Sequence, residues 1–346
     1  MKSAERSQFG GRRGVRNSPS LKGDPTIHAR RPGGRTEPIE ANSVFGTRRA
    51  AGRYNGRRGE GSGALGGVRL VDRWKAELEV AEAAAKAGGA VATGYFRGGL
   101  AADVKNAEGQ GTYNLVTRAD VEAERAVVEV IKKAFPGHAI YGEEGQGDGG
   151  EGAAILASED VWIVDPIDGT SNFVHGIPHF GVSVAYYHKG DATVGVVGNP
   201  LYDDWYTAVR GGGAFHRGRR ARVSPCARLD EVLVGFGYFY DRGAMMEATL
   251  EACAEILRRR SHGLRRLGAA TLDLAYVGVG SFGAFFEYEL APWDFAAGRL
   301  FVEEAGGRVT NCHGDPLTLR KDGVLASNGL VHDELVAIMN EYFRKP

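Results

Sequence analysis

The chain has 346 residues, with 43 Lys and Arg against 43 Asp and Glu, 52 glycines and three cysteines. That length has room for one large domain or two ordinary ones, and no apolar run reaches the roughly eighteen residues of a membrane span. No apolar core follows the first basic residues as in a secretory signal, and Cys226, Cys253 and Cys312 are too scattered and odd in number for a disulfide framework or a structural zinc site.

The balanced charge hides an asymmetry. Residues 1–70 carry 15 Lys and Arg against 5 Asp and Glu, which leaves the remainder of the chain near −10. Those residues mix Arg, Gly and Ser with Pro19, Pro25, Pro32 and Pro38 and lack any apolar period, so the expectation is a disordered basic tail. A solvated tail, or a start codon assigned too early, competes here with a transit peptide or a nucleic-acid tether. Sparse serine, no amphipathic face and no interleaved aromatics favour a solvated tail on a soluble, cytoplasmic protein with no membrane partner.

From Val71 onward the texture changes. Val71, Trp74, Leu78, Ala81 and Ala85 recur at helical spacing and predict a helix ending near Gly88-Gly89, followed by a polar loop of about fifteen residues. Thr117 is a natural N-cap for a second helix, with Val121, Val127, Val128, Ile131 and Phe135 as its apolar stripe and Pro136-Gly137 as its stop. Strands are expected at 139–141, 161–164, 182–187, 193–197, 205–209 and 232–236, with turns at Lys189-Gly190-Asp191 and Gly211-Gly212-Gly213. Helical patterns return at 244–257, 270–279, 294–304 and 332–343, interleaved with strands at 284–288 and 324–327. The resulting division is a tail at 1–70, an α+β half at 71–225 and an α/β half at 226–346. His138, His175, His179 and His313 lack metal spacing and read as structural, as Trp162 and Tyr186-Tyr187 read as core.

Three acidic segments carry the chemistry. In Trp162–Phe173 an apolar strand delivers Asp165 and Asp168 with Pro166 between them, and Gly169-Thr170 opens a short helix. Carboxylates suit a hard cation such as Mg²⁺, and a helix start suits phosphate. Gly142-Glu143-Glu144 ends another strand with adjacent carboxylates, which repel unless a cation or proton intervenes. Pro292-Trp293-Asp294 begins a helix, where Asp294 serves either as a ligand or as an N-cap.

Together these segments, GEE at 142–144, DPIDGTSNF at 165–173 and PWDFAAG at 292–298, resemble the inositol monophosphatase family of Mg²⁺-dependent, lithium-sensitive phosphatases from about Val71 onward. Asn114–Thr117 with Asp120 and Glu124 is similar to a fourth motif of that family. The resemblance implies a layered αβαβα sandwich of the inositol monophosphatase and fructose-1,6-bisphosphatase type. It implies that Glu143, Asp165, the Ile167 carbonyl, Asp168 and Asp294 hold two or three Mg²⁺ ions, which polarise the phosphoryl group, acidify a water and stabilise the leaving alkoxide. Thr170, oriented by Asp120, would position the attacking water, with Glu143 assisting, while the Gly169 and Thr170 amides and Asp168 bind the substrate.

The same resemblance puts Gly268, Ala269, Ala270 and Glu287 against the sugar-like alcohol, which favours inositol monophosphate as substrate; a homodimer is the expected assembly. Packing at a helix start for Gly268–Ala270 and a surface strand position for Glu287 are the plainer alternatives. The family's usual Asp is Asn114 here and its common Arg after Gly280 is absent, departures that touch substrate preference and oligomer contacts but not the metal set. Sister activities on histidinol phosphate, fructose 1,6-bisphosphate or 3′-phosphoadenosine 5′-phosphate remain open, as does a regulator that binds nucleic acid or a protein through the basic tail.

Overall fold

A computed structural model describes residues 73–98, 105–106, 115–116, 118–145, 150–238 and 242–343. The expected disordered tail, Val71, Asn114 and the Thr117 cap lie outside the described residues. Among the described residues no helix is long and apolar enough to cross a membrane.

The first helix, α1 (Lys75–Gly98), does not stop at Gly88-Gly89 as the sequence predicts. It runs on because both glycines are contact points rather than terminators: a Cβ at Gly88 would meet Val127 Cγ2 at 2.6 Å, and one at Gly89 would meet Pro200 Cβ at 2.7 Å. A short antiparallel pair, β1 (Lys105–Asn106) and β2 (Leu115–Val116), precedes α2 (Arg118–Ala134). Here too the stripe is rotated from expectation. Val121 is 43% exposed, whereas Ala119, Ala123, Val127 and Ile131 are buried together with the acidic Asp120 and Glu124. Ala119 and Ala123 let α2 lie close to α1, and the face that turns inward brings two carboxylates with it.

Seven strands follow, β3 (Ala139–Gly142), β4 (Asp160–Asp168), β5 (Gly181–His188), β6 (Asp191–Asn199), β7 (Asp204–Val209), β8 (Gly213–His216) and β9 (Arg219–Arg220), paired in that order. Only β3 and β4 are parallel, joined through the short α3 (Gly150–Leu156). Lys189 and Gly190 take left-handed φ values of 55° and 82° at the β5–β6 hairpin, the backbone such a tight turn requires.

The second sheet is mixed, ordered β11–β10–β12–β14–β13, from β10 (Leu233–Phe236), β11 (Gly263–Arg265), β12 (Ala284–Leu290), β13 (Arg308–Thr310) and β14 (Asp322–Ser327). Helices α5 (Ala244–Arg258), α6 (Ala270–Gly278), α7 (Pro292–Glu304) and α8 (His332–Tyr342) connect or flank these strands.

Strand alternation builds the layers. On β4, Trp162 and Val164 face Ala81, Ala85 and Ile131 of α1 and α2, while Val161 and Ile163 face Leu272, Ala297 and Leu300 of α6 and α7. On β12, Phe285 joins Leu274, Phe295 and Val302 on the side of α6 and α7, and Phe286 joins Ile256, Leu335 and Ile338 of α5 and α8. The order is helix, sheet, helix, sheet, helix, the αβαβα sandwich that the sequence resemblance implies. Cys226, Cys253 and Cys312 are unpaired thiols.

Candidate active site

Asp165 and Asp168 come to one face of β4 because the strand is bulged. Asp165 pairs with Ser183 and Asp168 with Gly181, so three steps along β4 match two along β5. In a regular strand residues three apart point to opposite faces; the extra residue restores them to the same one. Pro166 sits in the bulge, where its missing N–H breaks no ladder bond. Ile167 N–H donates to Asp165 Oδ1 at 3.1 Å and closes the turn around Pro166.

The parallel pairing of Gly142 with Val164 sets Glu143 beside Asp165, and Glu143 N–H continues the ladder to the Val164 carbonyl at 3.3 Å. Asp294 arrives from the first turn of α7. It is not the N-cap: Ala291 holds that position, Pro292 begins the helix, and the Asp294 carboxylate reaches back to accept the Ala291 N–H at 2.7 Å. Ser183, opposite Asp165, donates to the Trp293 carbonyl at 3.3 Å and ties that helix start to the seven-stranded sheet.

The result is a set of carboxylate oxygens from Asp165, Asp168 and Asp294 all within 4.8 Å of one another. Burial raises the pKa of every carboxyl in the group. Asp168 is pushed up to about 6 and Asp294 to about 7, chiefly by desolvation, with Asp168 adding to Asp294 by like-charge repulsion. Asp165 and Glu143 are driven well above the ordinary carboxylate range by burial and then by their acidic neighbours. Asp165 is wholly buried, and its Oδ2 has no hydrogen-bond partner among the described residues. An orphaned carboxylate oxygen in a largely buried, oxygen-only cluster is the donor set of a hard divalent cation, so the residues present fit a metal of that class.

Beside this cluster, Thr170 begins α4 (Thr170–Val174) after Gly169, whose φ of 89° is the left-handed turn glycine permits. The Thr170 hydroxyl lies 3.1 Å from the Ile167 carbonyl and 3.4 Å from Asp120 Oδ1, so one rotor serves either acceptor. Residues 120 and 170 are therefore neighbours across the fold.

The 268–270 segment packs directly on this turn. A Cβ at Gly169 would meet the Gly268 carbonyl at 2.8 Å and Ala269 Cβ at 3.2 Å. Asn172 holds the two together by donating to the carbonyls of Leu267, at 2.8 Å, and His179, at 2.7 Å. Ala270 opens α6, and the Ala270 amide together with Thr271 binds Asp168. Glu287 is no surface strand residue. Its pKa is raised well above normal by burial and by Asp294, and its carboxylate fills the space a Cβ at Gly237 would need.

Several contributors escape sequence reasoning. Thr271 and Ser183 act as hydrogen-bond supports that nothing in their spacing marks, and Asn172 does so from inside the 165–173 segment without its role being readable there. Asp273, also buried, has an Oδ1 with no hydrogen-bond partner among the described residues and sits near Asp168, Glu287 and the partly compensating Arg266. Glu124 is visible as an i+4 partner of Asp120, but its own contact lies with the turn at 142–145.

The model of the inositol monophosphatase family matches residues 74–343. The chain is 40% identical over 232 residues to a fructose-1,6-bisphosphatase/inositol-1-monophosphatase of Thermotoga maritima, covering 67% of this chain and 84% of that one. It is 41% identical over 255 residues to the Nus factor SuhB of Pseudomonas aeruginosa, covering 72% and 91%. Among solved structures, the inositol monophosphatase of Anabaena superposes with a TM-score of 0.67 at 33% identity, over 78% of this chain and 98% of that one.

Proposed function

The chain belongs to the inositol monophosphatase family of phosphatases, and on that premise we propose that it hydrolyses small phosphate monoesters, with inositol monophosphate as the favoured substrate and Mg²⁺ as the cofactor. The observation that carries this reading is the buried cluster of Asp165, Asp168 and Asp294 with the unpartnered Asp165 oxygen. Glu143 and the Ile167 carbonyl complete an all-oxygen donor set. Bound there, Mg²⁺ would supply Lewis-acid polarisation of the phosphoryl group and stabilisation of the charge on the leaving oxygen.

The protein's own groups do the rest. Thr170 and Asp120 orient the attacking water and take up its proton, with Glu143 at the edge of the same cluster. The Gly169 and Thr170 amides and Asp168 orient the phosphate. Gly268, Ala269 and Ala270 set a close backbone wall for the alcohol, and Glu287 accepts its hydroxyls. A homodimer in the cytoplasm completes the reading, and the unpaired cysteines agree with a reducing compartment.

The direct test is phosphate release from a panel of esters, including inositol 1-phosphate, fructose 1,6-bisphosphate, histidinol phosphate and 3′-phosphoadenosine 5′-phosphate, with Mg²⁺ and after its removal by EDTA. Inositol 1-phosphate should be the best substrate, activity should require Mg²⁺, and millimolar lithium should inhibit. Full activity in EDTA would overturn the metal reading, and strong preference for another ester would reassign the substrate.

One relative favours a second reading. The Pseudomonas protein carries the name Nus factor, and residues 1–70 of this chain are strongly basic, which together support a nucleic-acid or protein partner beside the phosphatase. Salt-dependent RNA binding that disappears on deleting residues 1–70 is its expected signature.

A further inference from the structure

We propose that Glu124 is a positioning residue, whose buried carboxylate clamps the turn at 142–145 and so sets Glu143 for cation binding. This rests on the metal reading of the preceding section and adds to it a group outside the donor set.

Glu124 lies one helical turn after Asp120 on the inward face of α2 and is 6% exposed. Its Oε2 accepts the Glu144 N–H at 2.8 Å, and the same carboxylate accepts the N–H of Gly145. Two consecutive amides beyond the end of β3 are thereby held by one side chain. Glu143 immediately precedes them, fixed on its other side by the ladder bond from its own N–H to the Val164 carbonyl. A residue flanked by a strand bond and a double amide clamp has little backbone freedom, and its side chain direction follows.

The glycines on either side of the clamp are sized for it. A Cβ at Gly142 would overlap the Glu124 carboxylate, and a Cβ at Gly145 would lie 2.6 Å from Glu124 Oε1. The turn accepts the carboxylate only because both positions lack a side chain. The same helix holds Asp120 beside Thr170, so α2 acts as a rigid spacer between the Thr170 turn and the Glu143 turn. Outer groups of this kind orient ligands without touching the ion, and their loss typically weakens metal binding by about ten- to a hundredfold.

The experiment compares the wild-type chain with Glu124→Ala, Glu124→Gln, Gly142→Ala and the double variant Glu124→Ala/Gly142→Ala. Mg²⁺ affinity is measured by calorimetry, the melting temperature of each metal-free protein by circular dichroism, and kcat and KM for inositol 1-phosphate across a Mg²⁺ titration.

Glu124→Ala should weaken Mg²⁺ binding about tenfold or more. Excess Mg²⁺ should return much of the lost turnover, with the substrate KM little changed. Glu124→Gln, whose amide offers an acceptor to one N–H but presents donors to the other, should fall between wild type and Ala. Gly142→Ala should weaken Mg²⁺ binding by itself yet add little in the Glu124→Ala background, because the group it displaces is already gone.

A fall in melting temperature with Mg²⁺ affinity unchanged would overturn the inference and leave Glu124 as a purely structural group. Fully additive losses for Gly142→Ala and Glu124→Ala would also overturn it. If Glu124→Ala does not fold, Glu124→Gln decides the matter: unchanged Mg²⁺ affinity in that variant rejects the clamp. A wild-type protein that takes up no Mg²⁺ would instead overturn the metal reading, and this inference with it.

Discussion

Thr271 donates both its backbone N–H and its hydroxyl to a single oxygen of Asp168, Oδ2, at 2.7 and 2.6 Å. The pair links the end of β4 to the start of α6, and Gly181 on the neighbouring strand leaves room for the hydroxyl, since a Cβ there would lie 2.7 Å from it. These bonds favour the charged carboxylate and oppose the upward push of burial.

Thr271→Val keeps the shape of the side chain and removes one of the two bonds. The carboxyl of Asp168 should then titrate higher, and Mg²⁺ affinity and turnover should each fall about tenfold while the fold persists. Calorimetric titration of Mg²⁺ alongside steady-state kinetics checks this, and an unchanged affinity would show that the backbone bond alone orients Asp168.

Asp165→Asn should abolish turnover. It should also raise the melting temperature of the metal-free protein, because the substitution relieves a buried carboxylate that is crowded by Glu143, Asp168 and Asp294 and has one oxygen unsatisfied. Melting curves with and without Mg²⁺ are the measurement. Wild type should gain stability on adding Mg²⁺ and the variant should gain little.

Thr170→Ala and Asp120→Asn should each lower kcat by about a hundredfold or more with little change in KM, as loss of a group that orients water in the transition state requires. If the two act through the contact at 3.4 Å, the double variant should be little worse than either single one. Multiplicative losses would separate them.

The pH dependence of stability has a definite sign. Burial pushes the Asp168, Asp294 and Glu144 carboxyls up to about 6, 7 and 7 from their ordinary 3.8, 3.8 and 4.5. Carboxyls raised by folding stabilise the protein below their unfolded values, and that contribution is lost as pH rises through the folded ones. The metal-free protein should therefore lose stability from about pH 4 to pH 7 through these groups. His332, lowered to about 4 by burial, works in the opposite direction between that value and its ordinary 6.5. Its contribution is common to the metal-free and Mg²⁺-loaded protein and cancels in their difference. The Mg²⁺-induced gain in melting temperature should thus grow between about pH 5.5 and pH 8, with protons released on binding at the lower end. A gain independent of pH would mean that the cation does not displace protons from this cluster.

What the sequence made legible follows from which forces act locally. Asp165, Asp168 and Asp294 stand in short runs where an apolar strand or a helix start meets an acid, so their chemistry is readable in a line of text. The β4 bulge is not, since it exists only relative to Ser183 and Gly181 on the next strand. Gly88-Gly89 reads as a helix end because glycine has low intrinsic propensity, yet close approach of Val127 and Pro200 outweighs propensity there. Val121 misleads for the opposite reason. Its apolar side chain fits the period, while the inward face of α2 is set by Asp120 and Glu124. Strands such as β9, Arg219–Arg220, carry no apolar signal because edge strands need bury little.

Asp168 and Thr271 are 103 positions apart in the chain, and Asp294 lies further on still. A ribosome that has released the whole of the seven-stranded sheet has therefore made only part of the acidic pocket, and the last carboxylate emerges after β12. The repulsion that Asp294 adds to Glu143 and Asp165 therefore arises only at the closing step, when α7 settles between the two sheets, so the pocket is finished by the half of the chain made last.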